Sequence, residues 1–410
     1  MKNLIGRCVF AQSGGPTAVI NASVAGGITA ALKNPNVTGV LCAHHGVKGV
    51  LNEDFFDMSK EDENELLALK NTPASAFGSV RYKLKDFNED DTDYKRILEV
   101  FKKYDVRYFF YNGGNDSMDT CDKISRYMQK VGYGVNVIGI PKTIDNDLAG
   151  TDHCPGYGSA AKYVATSVAE VNRDASIYES PLVIILEIMG RNAGWLTAAA
   201  SLAAINGYGA DLIYLPEIPF DKRKFEADVL RVVKEKSKCI VAVSEGVKYA
   251  DGTYVGEDSA STDNFGHSQL GGVCATLRSI VKNAGIKCKA IELNILQRCA
   301  AHCASETDVE EAFRAGETAV EAATSGETDK MVSFIRTNSS PYELSYGLTP
   351  LTVTANAEKR VPREWITADG TGLNELYAEY ALPLIKDEPK IRYKNGLPDY
   401  AELKLIKFKI

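Results

Sequence analysis

The sequence has no surplus of positive charge: 47 Lys and Arg stand against 54 Asp and Glu, a net charge of −7 over 410 residues. A nucleic-acid partner calls for a basic face that displaces counterions, so that class is excluded. Any uninterrupted run of about 18 apolar residues is also missing, and with it a membrane-spanning helix. A disulfide framework is missing too. The nine cysteines are odd in number and scattered, mostly within apolar stretches such as Cys239-Ile240-Val241-Ala242-Val243. They read as reduced, buried thiols of a cytoplasmic protein. Met1 to Arg7 runs straight into strand-like Cys8-Val9-Phe10 without an apolar leader, which gives the same expectation. Two cofactor signatures are absent as well. The first glycine turn lacks the Gly-Lys-Ser/Thr ending of a P-loop, and no Gly-x-Gly-x-x-Gly follows the first strand, which removes dinucleotide hydride chemistry.

What is present is an alternation. Short runs rich in Val, Ile, Tyr and Phe alternate with Ala-rich segments of helical period, the pattern of a mostly parallel sheet covered by helices. Strands are expected at Arg7–Ala11, Val37–Ala43, Val106–Tyr111, Val135–Ile140, Leu182–Ile188, Leu212–Leu215 and Cys239–Val243, with a helix over Ala18–Leu32. Several strands end in a turn carrying Gly with a charged or hydroxyl residue. In open α/β sheets that end of the strand is where ligands bind. At roughly 150 residues per domain the length suggests two or three domains, with no clean linker between them. Ser59 to Leu67 reads as a solvated helix start, Tyr249 to Gly272 as a long polar loop, and Lys386 to Ile410 as a surface extension.

Five motifs carry chemistry. Gln12-Ser13-Gly14-Gly15-Pro16-Thr17 is a Gly-rich turn before a helix, where backbone N–H groups approach an anion. Tyr111-Asn112-Gly113-Gly114-Asn115-Asp116-Ser117 offers a helix cap or an oxygen donor for Mg²⁺. Pro141-Lys142-Thr143-Ile144-Asp145-Asn146-Asp147 gathers two acids, a Lys and a hydroxyl at one strand end. Phosphoryl transfer needs a base for the attacking hydroxyl, a metal, and cations for developing charge; this loop has candidates for all three. Met189-Gly190-Arg191 and Gln297-Arg298 each put a guanidinium near a strand end or helix start, able to hold a phosphate with two N–H groups. Cys299, His302 and Cys303, spaced i, i+3, i+4 on an expected helix, lack a fourth ligand for zinc, and adjacent His153-Cys154 lacks an orienting acid for nucleophilic catalysis.

On these residues, together with Ser244-Glu245-Gly246, the chain resembles the phosphofructokinase family, in motif order from about Gly6 to Gly326. Within it the resemblance is to the pyrophosphate-dependent fructose-6-phosphate phosphotransferases. The resemblance implies an α/β fold of two similar three-layer, Rossmann-like domains with mostly parallel sheets, plus a C-terminal extension. The donor domain would take 1–158 with about 297–340, the sugar-phosphate domain 159–296 with about 341–385, and the extension 386–410. It implies that Asp145 is the base facing the 1-hydroxyl of fructose 6-phosphate, with Lys142 and Asp116 as further catalytic groups. Thr143, Ile144, Met189, Gly190, Arg191, Glu245, Lys289, Ile295, Leu296, Gln297 and Arg298 would contact the sugar phosphate. Gly14, Gly15, Arg81 and Lys142 would hold the diphosphate, and Asn115, Asp116 and Asp147 the Mg²⁺.

Donor choice rests on two positions. ATP-using relatives usually have Gly where this chain has Asp116 and Lys142. A carboxylate at 116 repels the space of an α-phosphate, while an ammonium at 142 stabilises charge on the transferring or leaving phosphate. Both point to pyrophosphate. Departures from the family pattern are Asn115 in place of a metal-binding Asp, Lys289 in place of an Arg that reaches a neighbouring subunit's sugar site, and Leu182 in place of a second such Arg. The two replaced arginines imply a non-allosteric enzyme, and the family's sugar sites, which borrow residues across a subunit interface, imply a homodimer or homotetramer. The competing readings are an ATP-dependent kinase of fructose 6-phosphate or sedoheptulose 7-phosphate, and a non-catalytic regulatory subunit.

Overall fold

In the computed structural model, which describes residues 4–256, 272–355 and 357–410, the described chain forms two sheets flanked by helices and a small two-stranded ribbon, Tyr393–Lys394 with Leu397–Pro398. The first has seven strands. In chain order they are β1 (Gly6–Gln12), β2 (Val37–Ala43), β3 (Phe55–Asp57), β4 (Val106–Gly113), β5 (Asn136–Pro141), β10 (Lys330–Ser339) and β11 (Tyr342–Pro350). Their spatial order is β11-β10-β5-β4-β1-β2-β3, with the β10–β11 and β2–β3 pairs antiparallel and the rest parallel. The second sheet holds β6 (Leu182–Ile188), β7 (Leu212–Tyr214), β8 (Lys238–Ser244) and β9 (Lys287–Glu292) in the order β7-β8-β6-β9, all parallel.

The near-continuous apolar runs follow from burial on both faces. Along β1 and β4, Val9, Ala11, Phe109 and Tyr111 pack into one core, while Cys8, Phe10, Tyr108 and Phe110 fill the core on the opposite face. The second sheet repeats this, with Ile184, Leu186 and Ile188 on one side and Val183 and Ile185 on the other. Each sheet is thus the middle of three layers, as expected.

Helices α1 (Ile20–Lys33) and α4 (Glu306–Thr324) pack on one face of the first sheet and α2 (Asn115–Lys130) on the other, while α3 (Tyr157–Ala175) covers a face of the second. α1 and α4 cross at unusually close range. A methyl on Gly26 would lie 2.0 Å from the Phe313 carbonyl oxygen, and one on Gly316 would lie 1.8 Å from that of Ser23. Only glycine fits at either position.

The expected strands are present within one or two residues, and β3, β9, β10 and β11 are additional. One expectation about the division of the chain is corrected. Residues 342–350, assigned to the second unit, pair with Lys330–Ser339 in the first sheet, because β11 returns antiparallel from β10. Cys299 and Cys303 do not share a helix; the chain turns at Ala300 between Leu296–Cys299 and a one-turn 3₁₀ segment at Ala301–Cys303. Of the expected polar loop, 257–271 lies outside the described residues. The C-terminal segment is a strap with definite partners. The Asp57 N–H donates to Ile406 O and the Phe408 N–H to Phe55 O, both at 2.9 Å, and Lys407 pairs with Asp54. The strap covers the otherwise open edge at β3.

Candidate active site

Register brings the motifs together. In the first sheet Gln12 lies beside Asn112 and Gly113 beside Pro141, so the loops leaving β1, β4 and β5 emerge side by side. In the second sheet Ile188 lies beside Ser244, which aligns the loops leaving β6 and β8. Both sets meet in one cavity of about 350 Å³. Its wall includes Gly14, Gly15, Arg81, Asn115, Asp116, Lys142, Thr143, Ile144, Asp145, Asp147, Met189, Arg191, Glu245 and Arg298.

The β1 loop bends through Gly14 at φ +76°, and its carbonyl accepts the Ser79 hydroxyl at 2.6 Å while its N–H donates to Val80 O at 3.3 Å. These two bonds carry Arg81 to the cavity, next to a loop some 65 residues earlier in the chain. Lys142 crosses from β5 to donate to Gly15 O at 2.8 Å. Arg298 arrives from the far side, its Nη1 within 2.9 Å of where a methyl on Gly15 would lie. Three cations therefore converge on the first glycine turn. Burial lowers the pKa of Lys142 from its usual 10.5 to about 8, with Asp145 opposing that shift and Arg298 adding to it. Burial, then the neighbouring Arg81, lowers that of Arg298.

The acidic loop turns on Asn146, a non-glycine residue at φ +54°. That conformation is costly and is held here by two hydrogen bonds of the Asn146 side chain. The Asn146 side chain accepts the Cys154 N–H at 2.9 Å and donates to the Tyr380 hydroxyl at 2.8 Å, and the hydroxyl in turn donates to Asp152 O. Asp145 and Asp147, on either side of the turn, both face the cavity. Burial raises the pKa of each carboxyl, and for Asp147 the adjacent Asp145 and Glu358 add to it. The Asn115 amide donates to Asp147 Oδ2 at 3.1 Å, leaving Asn115 Oδ1 buried without a hydrogen-bond partner.

On the opposite wall, Glu245 Oε1 accepts the Gly190 N–H at 3.3 Å, and burial pushes its carboxyl up to about 7. Gly246 must be glycine, since a methyl there would sit 1.8 Å from Arg191 O. Five expected residues lie outside the cavity wall. Gly190 acts through its backbone, and Gln297 is buried, accepting the Met189 N–H at 3.2 Å and thereby setting the loop that carries Arg191. Ile295 and Leu296 are exposed, and Lys289 lies on edge strand β9, 3.9 Å from Asp174.

Sequence reasoning missed Glu358 and Glu217, and gave Asn192 and Ala193 no role. Glu358 enters the cavity from a crossover segment, 357–361, where the sequence pattern is weak. Leu148 bridges to Glu358 and the Lys359 N–H donates to Asp147 O at 2.7 Å, so this segment runs along the acidic loop. Glu217 Oε1 accepts the Gly194 N–H at 2.9 Å and the Val361 N–H at 3.0 Å, tying the Arg191 loop to the same segment. Asn192 and Ala193 directly follow a recognised motif, a signal that could have found them; Glu217 and Glu358 had none.

A glycine cradle with three cations, facing two acids on one strained loop, suits phosphate chemistry. Residues 7–323 match the profile of the phosphofructokinase family. The chain belongs to that family. It is 47% identical over 399 residues to the pyrophosphate–fructose 6-phosphate 1-phosphotransferase of Halomonas elongata, covering 96% of this chain and 95% of that one. The protein of the same description from Methylococcus capsulatus is 45% identical over the same shares. Among solved structures, the pyrophosphate-dependent phosphofructokinase of Nitrosospira multiformis superposes with a TM-score of 0.91 at 43% identity, covering 99% of this chain and 98% of that one.

Proposed function

We propose that the chain is a pyrophosphate-dependent phosphofructokinase, which moves a phosphoryl group reversibly between pyrophosphate and the 1-hydroxyl of fructose 6-phosphate. The observation that carries the donor assignment is Lys142 and Asp116 lining one cavity with Asp145. Asp145 takes the proton of the attacking hydroxyl. Its raised pKa makes it a stronger base than an exposed carboxylate. Lys142 and Arg81 hold the diphosphate against the β1 loop, where their charge opposes the charge building on the leaving phosphate, and Arg298 grips the 6-phosphate of the sugar. Asp116 repels the α-phosphate of a nucleotide donor. Arg191, Met189 and Glu245 orient the sugar.

A divalent cation fits the donor set. Among the described residues no group of three or more His, Cys, Asp and Glu encloses an ion, and Mg²⁺ is usually held by one or two carboxylates together with substrate phosphates and water. Asp147, Asp116 and the unpartnered Asn115 Oδ1 are its protein ligands in this reading. The ion supplies charge neutralisation on the diphosphate oxygens.

We assign the donor role to the seven-stranded unit, with β11 included, and the sugar role to the four-stranded one. A homodimer or homotetramer is supported by Lys289 and the exposed Ile177, Tyr178, Ile295 and Leu296. None of the described helices is long and apolar enough to cross a membrane, which is compatible with action in the cytoplasm.

A coupled assay offering pyrophosphate or ATP tests the donor. Pyrophosphate alone should support turnover, and equal rates with ATP would overturn the assignment. Changing Asp116 and Lys142 together to Gly should lower pyrophosphate activity by about 10²- to 10³-fold or more.

A further inference from the structure

We propose that a second cavity, behind the crossover segment 357–361, is a binding site for a small organic anion that joins a planar ring to one oxyanion group, a phosphate or a carboxylate. The cavity measures about 490 Å³ and is walled by Trp195, Trp365 and Tyr380 with Arg336, Lys359 and Arg360. Four of these six lie at positions 336–365 and one at 380, beyond the stretch that matches the family profile.

The aromatic part is a three-sided box. The Trp195 and Trp365 rings stand at 87° with centroids 5.9 Å apart, and Tyr380 lies 5.2 Å from the first and 5.3 Å from the second. Trp195 is 2% exposed and gives its indole N–H to Lys359 O, so a further planar group packs on the half-buried Trp365 and Tyr380 rings. The cations sit on the same box. The Lys359 ammonium is 5.2 Å from the Trp195 ring and the Arg336 guanidinium 4.7 Å from that of Tyr380.

Charge decides the other half of the ligand. Two acids, Asp152 and Glu379, face three cations, and Asp152 already accepts from Arg336 at 2.9 Å and contacts the His153 ring at 2.8 Å. Arg360 is held by Glu358 at 3.2 Å but remains 59% exposed. Lys359 is the informative group. Its ammonium donates to the carbonyl oxygens of Thr151 and Asp152, at 3.2 and 2.5 Å, and it has no ion-pair partner among the described residues. A half-buried ammonium with a proton to spare and no carboxylate is completed by an oxyanion. A free inorganic anion would leave most of the aromatic volume unfilled, which is why a ring is part of the assignment.

Trp195 and Trp365 are the two tryptophans of the whole chain and both line this cavity, so tryptophan emission reports on it once the catalytic cavity is held in one state. The intact protein is titrated with phenyl phosphate, benzoate or inorganic phosphate, with pyrophosphate present at saturation to fill the catalytic cavity. A saturable emission change with phenyl phosphate or benzoate is expected, and whichever binds more tightly identifies the head group. Inorganic phosphate should bind at least about tenfold more weakly for want of a ring. Lys359→Met and Arg360→Gln should each weaken binding about tenfold. Arg360 is exposed, so its variant tests the site even where Lys359→Met fails to fold. No saturable change up to about 10 mM of either aromatic anion, a change seen only when pyrophosphate is left out, or binding indifferent to Arg360→Gln would overturn the proposal.

Discussion

Lys142 joins β5 to the glycine turn of β1 by one hydrogen bond, and its lowered pKa has a direct kinetic consequence. With a value of about 8 its ammonium is lost as pH rises through that point, so kcat/KM for pyrophosphate should fall above pH 8. Lys142→Arg keeps the charge at every accessible pH. Its alkaline limb should therefore vanish even though the altered geometry lowers the plateau; a limb that stays near pH 8 would assign it to another group. The acid limb belongs to the buried carboxyls. Asp145 is raised by burial, so its basic form is lost at higher pH than for an exposed Asp.

Two features belong to the elements. The α1–α4 crossing depends on Gly26 and Gly316, and a methyl at Gly316 must push apart two backbones that nothing flexible separates. Gly316→Ala should cost about 1–3 kcal/mol, read as a lower denaturant midpoint with little change in its slope. The second feature is a buried chain of charges linking the loop before α3 to α4, β10 and β11. His153 is 1% exposed and contacts Asp152 at 2.8 Å and Glu311 at 2.7 Å; Glu311 also accepts the Tyr342 hydroxyl, and Asp152 the Arg336 guanidinium. Burial opposes the charge on His153, but the two carboxylates outweigh it and raise its pKa. A raised folded value contributes stability that is complete below the unfolded value, near 6.5, and lost as pH rises through the folded one. His153→Gln should thus destabilise the protein by about 3 kcal/mol at pH 6 and by less at pH 9, measured by urea unfolding. An unchanged penalty across that range would show that His153 packs as a neutral ring. Asp152 works in the other direction. Burial raises its pKa but His153 and Arg336 lower it further, so its contribution is present above the unfolded value and lost as pH falls.

At the scale of the molecule, the C-terminal strap completes the first unit. Its chain bonds the β3 edge, Glu61 accepts the Lys404 and Leu405 N–H groups at 2.7 Å, and Arg392 pairs with Glu65 at 2.9 Å. Removing 398–410 bares that edge and the Phe56 ring beneath Lys407. The truncated protein should melt several degrees lower and self-associate on light scattering, as exposed edge strands do.

The sandwich of helices about parallel strands was legible because burial on both faces leaves an apolar run that periodicity detects. β3 at three residues was too short to register, and β9 alternates exposed Lys287 and Lys289 with buried Cys288 and half-buried Ala290, so neither shows such a run. The long hairpin β10–β11 was missed for a related reason. Its outer strand is half exposed, so its apolar residues alternate with polar ones through 342–350. At the candidate site, Gly14, Asp116, Lys142, Asp145, Arg191, Glu245 and Arg298 were visible as motifs because each sits in a short strand-end turn or at a helix start whose residue types have a chemical reason. Glu358 and Glu217 were not, since each is an ordinary acid in unpatterned sequence that gains meaning from its partners alone.

By itself, then, the sequence determined the layers, the strand-end loops, the acidic chain with few cations placed near glycine turns, and through its motifs the family. These are local properties, set by side-chain period and by backbone freedom at single residues. Only the tertiary structure decided that Arg81, Lys142 and Arg298 share one turn, that the segment at 358–361 ties the acidic loop to the Arg191 loop, and that two tryptophans and three cations build a second cavity. Those depend on strand register and on a chain that crosses between the sheets, and pairings across hundreds of residues leave no period in the sequence to read.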